Sequence, residues 1–230
     1  MKQATVYLFD IDGTLITSGG SARGALLQAF ESFLGPQTRV EFSFGGMTDR
    51  AIIRQGLLES GHLADESRID EILAAYLELL PEVLAAADGF RVHDGVLNAL
   101  DALQALATTR PIALGLGTGN VERGARLKLE RVDLNGYFAF GGFGCMSEQR
   151  PELLRLGAER GARSLGRELA DCRVVVIGDT PKDISAARAI GAQVIAVATG
   201  AASLDELAAC KADFLFENLS HSGVLEALIG

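Results

Sequence analysis

Short runs of β-branched and aromatic residues, each stopping at Gly, Asp or Thr, recur along the chain between stretches with helical periodicity. Strands buried on both faces read as continuous apolar runs, and helical crossovers between such strands make them parallel. The sequence therefore predicts an α/β fold, a doubly wound parallel sheet with a Rossmann-like core. The expected strands are 6–9, 112–116, 137–143, 174–177, 194–197 and an edge strand at 214–216.

The stretch 17–88 breaks this alternation, because it has helical periodicity and almost no strand signal. Its first helix is expected to follow Ser21 and to end at Gly35. One apolar face identifies that helix. The residues on this face are Ala22, Ala25, Leu26, Ala29, Phe30, Phe33 and Leu34.

Two further helices are expected after Thr48 and Asp65, with Pro81 bending or ending the last one. We interpret 17–88 as a helical cap domain, inserted into a catalytic core made of 1–16 and 89–230. Hinges are expected near 17–20 and 89–94, where glycines allow a wide backbone range.

The composition of the chain indicates which classes of binding partner are unfavourable. The chain has 21 Lys+Arg against 30 Asp+Glu, a formal net charge of -9, and no Lys/Arg-rich run, which disfavours nucleic-acid binding. It shows neither a signal-like leader nor an apolar stretch of membrane-spanning length, so a cytoplasmic protein without a membrane partner is expected. Its three scattered cysteines are expected to be reduced and buried.

Acidic residues stand where strands are expected to end. Asp10 and Asp12 follow the first strand, Thr118 the second, and Asp179 with Asp183 the fourth. Ligands of open parallel sheets bind at that edge, and residues two apart on a strand point to the same side. One such Asp is ordinarily a turn or helix cap. Four of them repel one another and need a cation, which predicts a Mg²⁺ site.

These residues resemble the motifs of the haloacid dehalogenase superfamily, whose phosphatases carry "DxDGT", a Thr or Ser, a basic residue and "GDxxxD" in this order. They stand here as "DIDGT" at 10–14, "GTGN" at 117–120 and "GDTPKD" at 178–183. The resemblance covers essentially the whole chain, including a helical, C1-type cap. The stretches "GGMTDRAI" at 45–52 and "DISAARAIGA" at 183–192 look like the phosphoglycolate phosphatase branch.

The resemblance implies a Mg²⁺-dependent phosphatase of two steps. Asp10 attacks phosphorus and becomes an aspartyl phosphate. Asp12 protonates the leaving alcohol and later deprotonates the hydrolytic water. Mg²⁺ would be held by Asp10, the main-chain carbonyl of Asp12, and Asp179, while Asp183 ligates through water or orients the others. The implied substrate is a small phosphate ester, such as 2-phosphoglycolate or a sugar phosphate.

The phosphoryl group is expected to bind Thr118, the N–H of Gly119 and the helix that Asn120 begins. Family members mostly carry Lys-Pro before a later helix, and this chain has Arg150-Pro151. The phosphate-binding role is carried over to Arg150. With Pro151 at the first helical position, Arg150 is expected to be the capping residue.

The cap is acidic for a lid over an anionic substrate. The stretch 17–88 has five arginines, no lysine and eleven acidic residues. Local placement must therefore matter more than net charge, and Arg23 and Arg50 are the candidates for substrate binding, against the ordinary explanation of solvated helix-face arginines. His62 and His93 lack partners at ligand spacing and are expected to be surface or turn residues.

Other functions remain open to different degrees. A dehalogenase needs no metal and lacks the second Asp of the first motif, so Asp12, Asp179 and Asp183 argue against it. A phosphomutase of the same branch keeps both aspartates and stays an alternative. A signalling receiver module is much shorter and has no cap, and a non-catalytic phosphate-binding protein would not need every catalytic position. The sequence leaves the choice between monomer and dimer open.

Overall fold

The computed structural model of the protein describes residues 3–230, and within them the strands and helices alternate through most of the chain. The strands are β1 (Ala4–Phe9), β2 (Ile16–Thr17), β3 (Arg91–Val92), β4 (Ile112–Thr118), β5 (Phe140–Phe143), β6 (Cys172–Gly178), β7 (Gln193–Val197) and β8 (Phe214–Phe216). The helices are α1 (Ser21–Leu34), α2 (Asp49–Glu59), α3 (Glu66–Ala85), α4 (Val96–Ala107), α5 (Glu122–Glu130), α6 (Arg150–Ser164), α7 (Pro181–Ala189), α8 (Leu204–Ala209) and α9 (Val224–Ile229).

One parallel sheet forms the core. In the part of the chain that the structure describes it has six strands, in the order β5-β4-β1-β6-β7-β8. The central strand β1 pairs Phe9 with Leu116 of β4 and with Ile177 of β6. This register brings the carboxyl ends of β1, β4 and β6 together at one edge of the sheet.

Helices cover both faces of the sheet, as expected for a doubly wound fold. All six residues of β1 are buried. Tyr7 and Phe9 pack in the hydrophobic cluster with α4, α5 and α9, whereas Val6 and Leu8 pack in the cluster with α6 and α7. Alternate side chains of β1 thus pack into the hydrophobic clusters on opposite faces of the sheet. The predicted α/β fold is confirmed.

All six predicted strands are present, with boundaries that differ by up to three residues, and one short ribbon was missed. Residues 135–137 form a short 3₁₀ turn, so β5 covers only Phe140–Phe143 of the expected 137–143. The antiparallel pair of β2 and β3, with Ile16 opposite Val92, was not predicted. Two residues are too few to show a strand period.

The cap has a hydrophobic core of its own, in which Phe30 of α1 and Tyr76 of α3 are fully buried. A Cβ on Gly56 of α2 would lie 2.5 Å from Cζ of Phe30, so the glycine lets these helices approach closely. The predicted caps are present: Thr48 Oγ1 accepts the N–H of Ala51, and Asp65 accepts that of Arg68.

The prediction for Pro81 was partly wrong, because α3 continues through it to Ala85. Pro81 lies on the exposed side of the helix, where a missing hydrogen bond is best tolerated. Leu80 and Leu84 are buried in the cap core on either side of it, and their packing stabilises the last turn.

The two connections between cap and core run side by side. They include the β2–β3 ribbon, and a Cβ on Gly19 would lie 3.0 Å from Cα of Gly89. Both expected hinge segments fall here. The domain boundaries and a hinge motion at this ribbon stay predictions.

Three expectations on burial and membranes can be compared with the structure. The cysteines were expected to be buried, but Cys145 is exposed and Cys172 and Cys210 are half-buried, all three without a disulfide. His93, expected to be a surface or turn residue, is buried and begins the turn before α4: its carbonyl accepts the N–H of Val96, and its main-chain N–H donates to the carbonyl of Leu15. Within residues 3–230, no helix is both long and apolar enough to cross a bilayer.

Gly95 offers a test of the packing around α4. It has φ +81°, and a Cβ there would lie 2.1 Å from the Leu219 carbonyl carbon, whereas Gly61 has φ +75° with open space around it. Ala in a left-handed conformation costs about 1–2 kcal/mol at either site. Gly95→Ala should lower the free energy of unfolding, measured with urea, by at least about 2 kcal/mol more than Gly61→Ala does, because the backbone at 219–220 must also move. Equal losses would contradict this packing.

Candidate active site

Three carboxylates meet at the carboxyl edge of the sheet. Asp10 follows β1, Asp179 follows β6 and Asp183 lies in the first turn of α7, and oxygens of all three lie within 4.8 Å of one another. All are buried. The register of β1 against β6 fixes this meeting, since the N–H of Asp10 donates to the carbonyl of Ile177, 2.9 Å away.

Asp179 is held by small neighbours. Thr14 Oγ1 donates to its Oδ1 at 2.8 Å. A Cβ on Gly13 or on Gly200 would come within 2.3 or 1.7 Å of its Oδ2. The glycine of the "DIDGT" stretch is therefore needed for space as well as for its φ of +86°.

Asp183 orients its neighbours. Its Oδ2 accepts the N–H of Thr180 at 3.0 Å and the hydroxyl at 2.7 Å, forming the capping box of α7. Its Oδ1 accepts Nε–H of Arg150 at 2.7 Å. The carboxylate thus fixes both the start of α7 and the guanidinium.

Arg150 lies between two carboxylates. Its Nη2 is 2.9 Å from Asp10 Oδ2 and 2.5 Å from Asp183 Oδ1, and the side chain is buried. The expected cap position was off by one residue: α6 begins at Arg150, with Gln149 as its cap and Pro151 in the first turn. The guanidinium reaches Asp10 as expected from its motif position, because the first turn of α6 faces the end of β1.

Burial and crowding raise the proton affinity of the cluster. Burial raises the pKa of Asp10 to about 6, with Arg150 opposing the rise and Asp183 adding to it. Burial, together with Asp183 and Asp10, raises the pKa of Asp179 well above its ordinary range. One guanidinium against three buried carboxylates leaves negative charge to balance. All the donors are hard oxygens, so the residues present fit a hard divalent cation such as Mg²⁺.

Asp12 lies outside this cluster of three carboxylates, but it lines the same cavity as Asp10. Its Oδ2 accepts Nζ–H of Lys128 at 2.7 Å and Nδ2–H of Asn120 at 2.8 Å. Ile11, between the two aspartates, packs in the hydrophobic core, so Asp10 and Asp12 both reach the cavity although β1 itself ends at Phe9.

Thr118 and Asn120 lie beside Asp12. Thr118 is fully buried, and its Oγ1 accepts Nδ2–H of Asn120 at 2.8 Å. Asn120 was expected to begin the helix, but the cap residue of α5 is Val121. Asn120 instead uses its side chain to join Thr118, Asp12 and Lys128.

The loop before α2 docks the cap onto this segment. The N–H of Asp49 donates to the carbonyl of Gly119 at 2.9 Å, and Asp49 Oδ2 accepts the N–H of Val121 at 2.8 Å. A Cβ on Gly119 would lie 2.1 Å from the carbonyl oxygen of Met47. A cap carboxylate thus binds the N-terminus of a core helix, where negative charge is favourable.

Lys128 was missed by the sequence analysis. Its side chain is 4% exposed, and its Nζ donates to Asp12 and, at 2.6 Å, to Asn120 Oδ1. Burial opposes its charge, but Asp12 keeps its pKa above the ordinary value. One signal was available: Lys128 interrupts the apolar face that Val121 and Ala125 begin on α5.

The two candidate arginines of the cap differ. Arg23 donates from Nη2 to the carbonyl of Val40 at 3.2 Å, and its guanidinium carbon lies 3.9 Å from the ring centre of Phe44. Arg50 instead forms ion pairs with Glu66 and Asp70 on the outside of the cap. The expectation that Arg50 binds substrate is corrected, because two carboxylates already bind its guanidinium.

A cavity of about 420 Å³ lies between cap and core. The structure brings most predicted site residues to it, while Asp183 lies behind Arg150 and Arg50 lies outside. Among the described residues, those predicted from sequence that line it are Asp10, Asp12, Arg23, Thr118, Gly119, Asn120, Arg150 and Asp179. Asp49, Tyr76 and Lys128 line it without having been predicted.

Asp49 predicts a pH dependence of stability. Burial raises its pKa from 3.8 to about 6, although Lys128 and the N–H of Val121 oppose the rise. The folded chain therefore binds this proton more tightly, and the stabilisation present at low pH is lost as pH rises through about 6. Relative to Asp49→Asn, the unfolding free energy of the unaltered protein should fall by about 1–3 kcal/mol between pH 4 and pH 7.

Urea unfolding at the two pH values measures this difference. Asp205→Asn is the matched control, since Asp205 is exposed and its replacement should change the unfolding free energy by no more than about 0.5 kcal/mol. A pH-independent difference for Asp49→Asn would contradict the prediction.

Comparisons with known proteins agree with this geometry. A family model described as a haloacid dehalogenase-like hydrolase matches residues 4–191. A phosphoglycolate phosphatase of Rhodospirillum rubrum is 31% identical over 204 residues, covering 84% of this chain and 79% of that protein.

Solved structures share the fold. CbbY from Rhodobacter sphaeroides, crystallised with phosphate, has a TM-score of 0.72 at 18% identity and covers 96% of each chain. A predicted phosphoglycolate phosphatase from Haemophilus somnus has a TM-score of 0.71 at 18% identity and covers 99% of each chain. With the matched motifs in place around one cavity, the chain belongs to the haloacid dehalogenase-like hydrolase family, on its phosphoglycolate phosphatase-like branch.

Proposed function

We propose that this hydrolase is a Mg²⁺-dependent phosphatase that cleaves a small phosphorylated metabolite through an aspartyl phosphate on Asp10. The observation that carries the proposal is the position of Asp10. Its carboxylate lines the cavity, lies 2.9 Å from Arg150, and shares a buried cluster with Asp179 and Asp183. Asp12 lies two residues further along, beside the same cavity.

The Mg²⁺ ion would be held by Asp10, Asp179 and the main-chain carbonyl of Asp12, with Asp183 orienting the others. When bound, it neutralises charge between the Asp10 carboxylate and the phosphoryl oxygens and so permits their close approach. Arg150 contributes a second, permanent positive charge on the side of Asp183.

In the first step, an oxygen of Asp10 forms a bond to phosphorus as the bond from phosphorus to the ester oxygen breaks. Asp12 gives its proton to that departing oxygen, which leaves as the alcohol. The hydroxyl of Thr118 and the N–H of Gly119 donate to phosphoryl oxygens, aided by the N-terminus of α5.

In the second step, Asp12 is a carboxylate and takes a proton from water. The water oxygen forms a bond to phosphorus, the bond to Asp10 breaks, and phosphate is released with Asp10 restored. Splitting the displacement in two lets one carboxylate act first as acid and then as base.

The substrate must fit the space between the phosphoryl site and the cap. A cavity of about 420 Å³ suits a small metabolite. The R. rubrum relative is named for phosphoglycolate, and we propose 2-phosphoglycolate or a sugar phosphate as the class to test. At the cap end, Arg23 is oriented by Phe44 and Val40 to bind the part of the substrate beyond the phosphoryl group.

Phosphate release is the direct test of the proposed function. The purified protein should release phosphate from an aryl phosphate and from members of a metabolite panel with Mg²⁺, and should lose this activity in excess EDTA. Asp10→Asn should abolish turnover and trapping of the phosphoenzyme, since an amide cannot form the aspartyl phosphate. Asp205→Asn, which alters an exposed Asp, should retain both.

Full activity in EDTA, or label trapped on the Asp10→Asn chain, would disprove the proposed mechanism. Conversion of a sugar phosphate to its isomer, without net phosphate release, would instead identify a phosphomutase.

Arg23 tests the substrate site. Arg23→Gln should lower kcat/KM for the preferred metabolite about 10–100-fold, mostly through KM, because one charge-assisted contact is lost. Its effect on an aryl phosphate should be small. Arg39→Gln changes an exposed cap arginine and serves as control. An unchanged KM for the metabolite would remove Arg23 from the substrate site.

A further inference from the structure

Lys128 is a buried charge for which stability offers a poor explanation. Its side chain is 4% exposed, and its ionic partner Asp12 is 40% exposed to the cavity. Desolvating an ammonium group costs several kcal/mol, which a single ion pair seldom returns, and a packed apolar residue is often as stable. The charge is therefore explained better by what it does to Asp12.

The hydrogen bonds around Lys128 have only one consistent arrangement. An ammonium can only donate, so Lys128 must face the Oδ1 of Asn120, which is 2.6 Å away. The amide nitrogen of Asn120 must then face Asp12 and Thr118, both 2.8 Å away. Asn120 is thereby fixed in one orientation, without a flipped alternative.

Both donors reach the same oxygen of Asp12. Lys128 Nζ lies 2.7 Å from Oδ2, and Asn120 Nδ2 lies 2.8 Å from it. An oxygen that accepts these two donors has no room for a proton of its own. Within the described residues, Oδ1 accepts no hydrogen bond, so this oxygen is left for the cavity.

The helix that carries Lys128 is held by both the core and the cap. Ala125 and Leu129 of α5 pack in the core, and Asp49 of the cap binds its N-terminus through the N–H of Val121. Lys128 stands on the second turn of this helix, and a helix is stiff over this distance, since each turn rises only 5.4 Å. The placement of Nζ beside Asp12 therefore follows from the packing of α5.

We propose that Lys128 is a positioning residue: with Asn120 it holds Oδ2 of Asp12, so that Oδ1 faces the departing oxygen and then the attacking water. This inference rests on the proposed function. Two other roles compete with it. Lys128 could be purely structural, or it could bind an anionic group of the substrate directly, since it also lines the cavity.

The leaving group distinguishes these roles. An oxygen that departs as a stable phenolate needs no proton, whereas an alkoxide needs one in the transition state. We would measure kcat and KM with Mg²⁺ for 2,4-dinitrophenyl phosphate, phenyl phosphate and a neutral alkyl phosphate. Lys128→Met should lower kcat for the alkyl ester about 10²–10³-fold, and should change that for the dinitrophenyl ester less than about tenfold.

Asp12→Asn is the benchmark, because it removes the acid itself and should show the same dependence on leaving group. The double variant should be no worse than Asp12→Asn alone, since Lys128 acts through Asp12. Lys211→Met removes an exposed lysine outside the cavity lining and should leave all three rates unchanged. If Lys128→Met fails to fold, Lys128→Gln replaces it and should give a smaller loss with the same dependence.

An equal loss on all three esters would overturn the proposal in favour of a structural role. A rise in KM confined to substrates with a second anionic group would overturn it in favour of direct binding. Failure of the proposed function looks different: the unaltered protein would cleave none of these esters, or Asp12→Asn would show no dependence on leaving group.

Discussion

The repulsion among Asp10, Asp179 and Asp183 is the constraint on which the rest of the site depends. Three buried carboxylates within 4.8 Å of one another are unfavourable without positive charge. Arg150 supplies part of this positive charge. It lies in the first turn of α6, a helix that packs against β1, β4 and β5. The central position of β1 therefore places Asp10 within reach of the first turn of α6, where Arg150 balances part of its charge.

The cap and Asp12 are linked through one helix. Asp49 binds the N-terminus of α5, and Lys128 on the same helix binds Asp12. The cap loop and the side chain of Asp12 thus both contact α5.

The acidic cap can cover an anionic substrate because its charges are placed locally. Arg50 and Arg54 are neutralised on the outside by Glu66, Asp70 and Glu148. Arg23 faces the cavity, and within residues 3–230 it forms no ion pair with a carboxylate. The field that a substrate meets therefore depends on the few side chains that line the cavity, since exposed charges further away are screened by solvent and salt.

The sequence by itself determined the α/β class, the helical cap and the residues that end the strands. The fold class and the cap follow from the spacing of apolar residues along each segment. One geometric rule, that parallel strands end at a common edge of the sheet, is enough to bring Asp10, Thr118 and Asp179 together. Only the tertiary structure decided which side chains bind Asp12 and that Lys128 and Asp49 belong to the cavity. The buried face of a helix is known only once its packing partner is known. Arg50 and Arg23 look alike in sequence, and the carboxylates that separate them come from other helices.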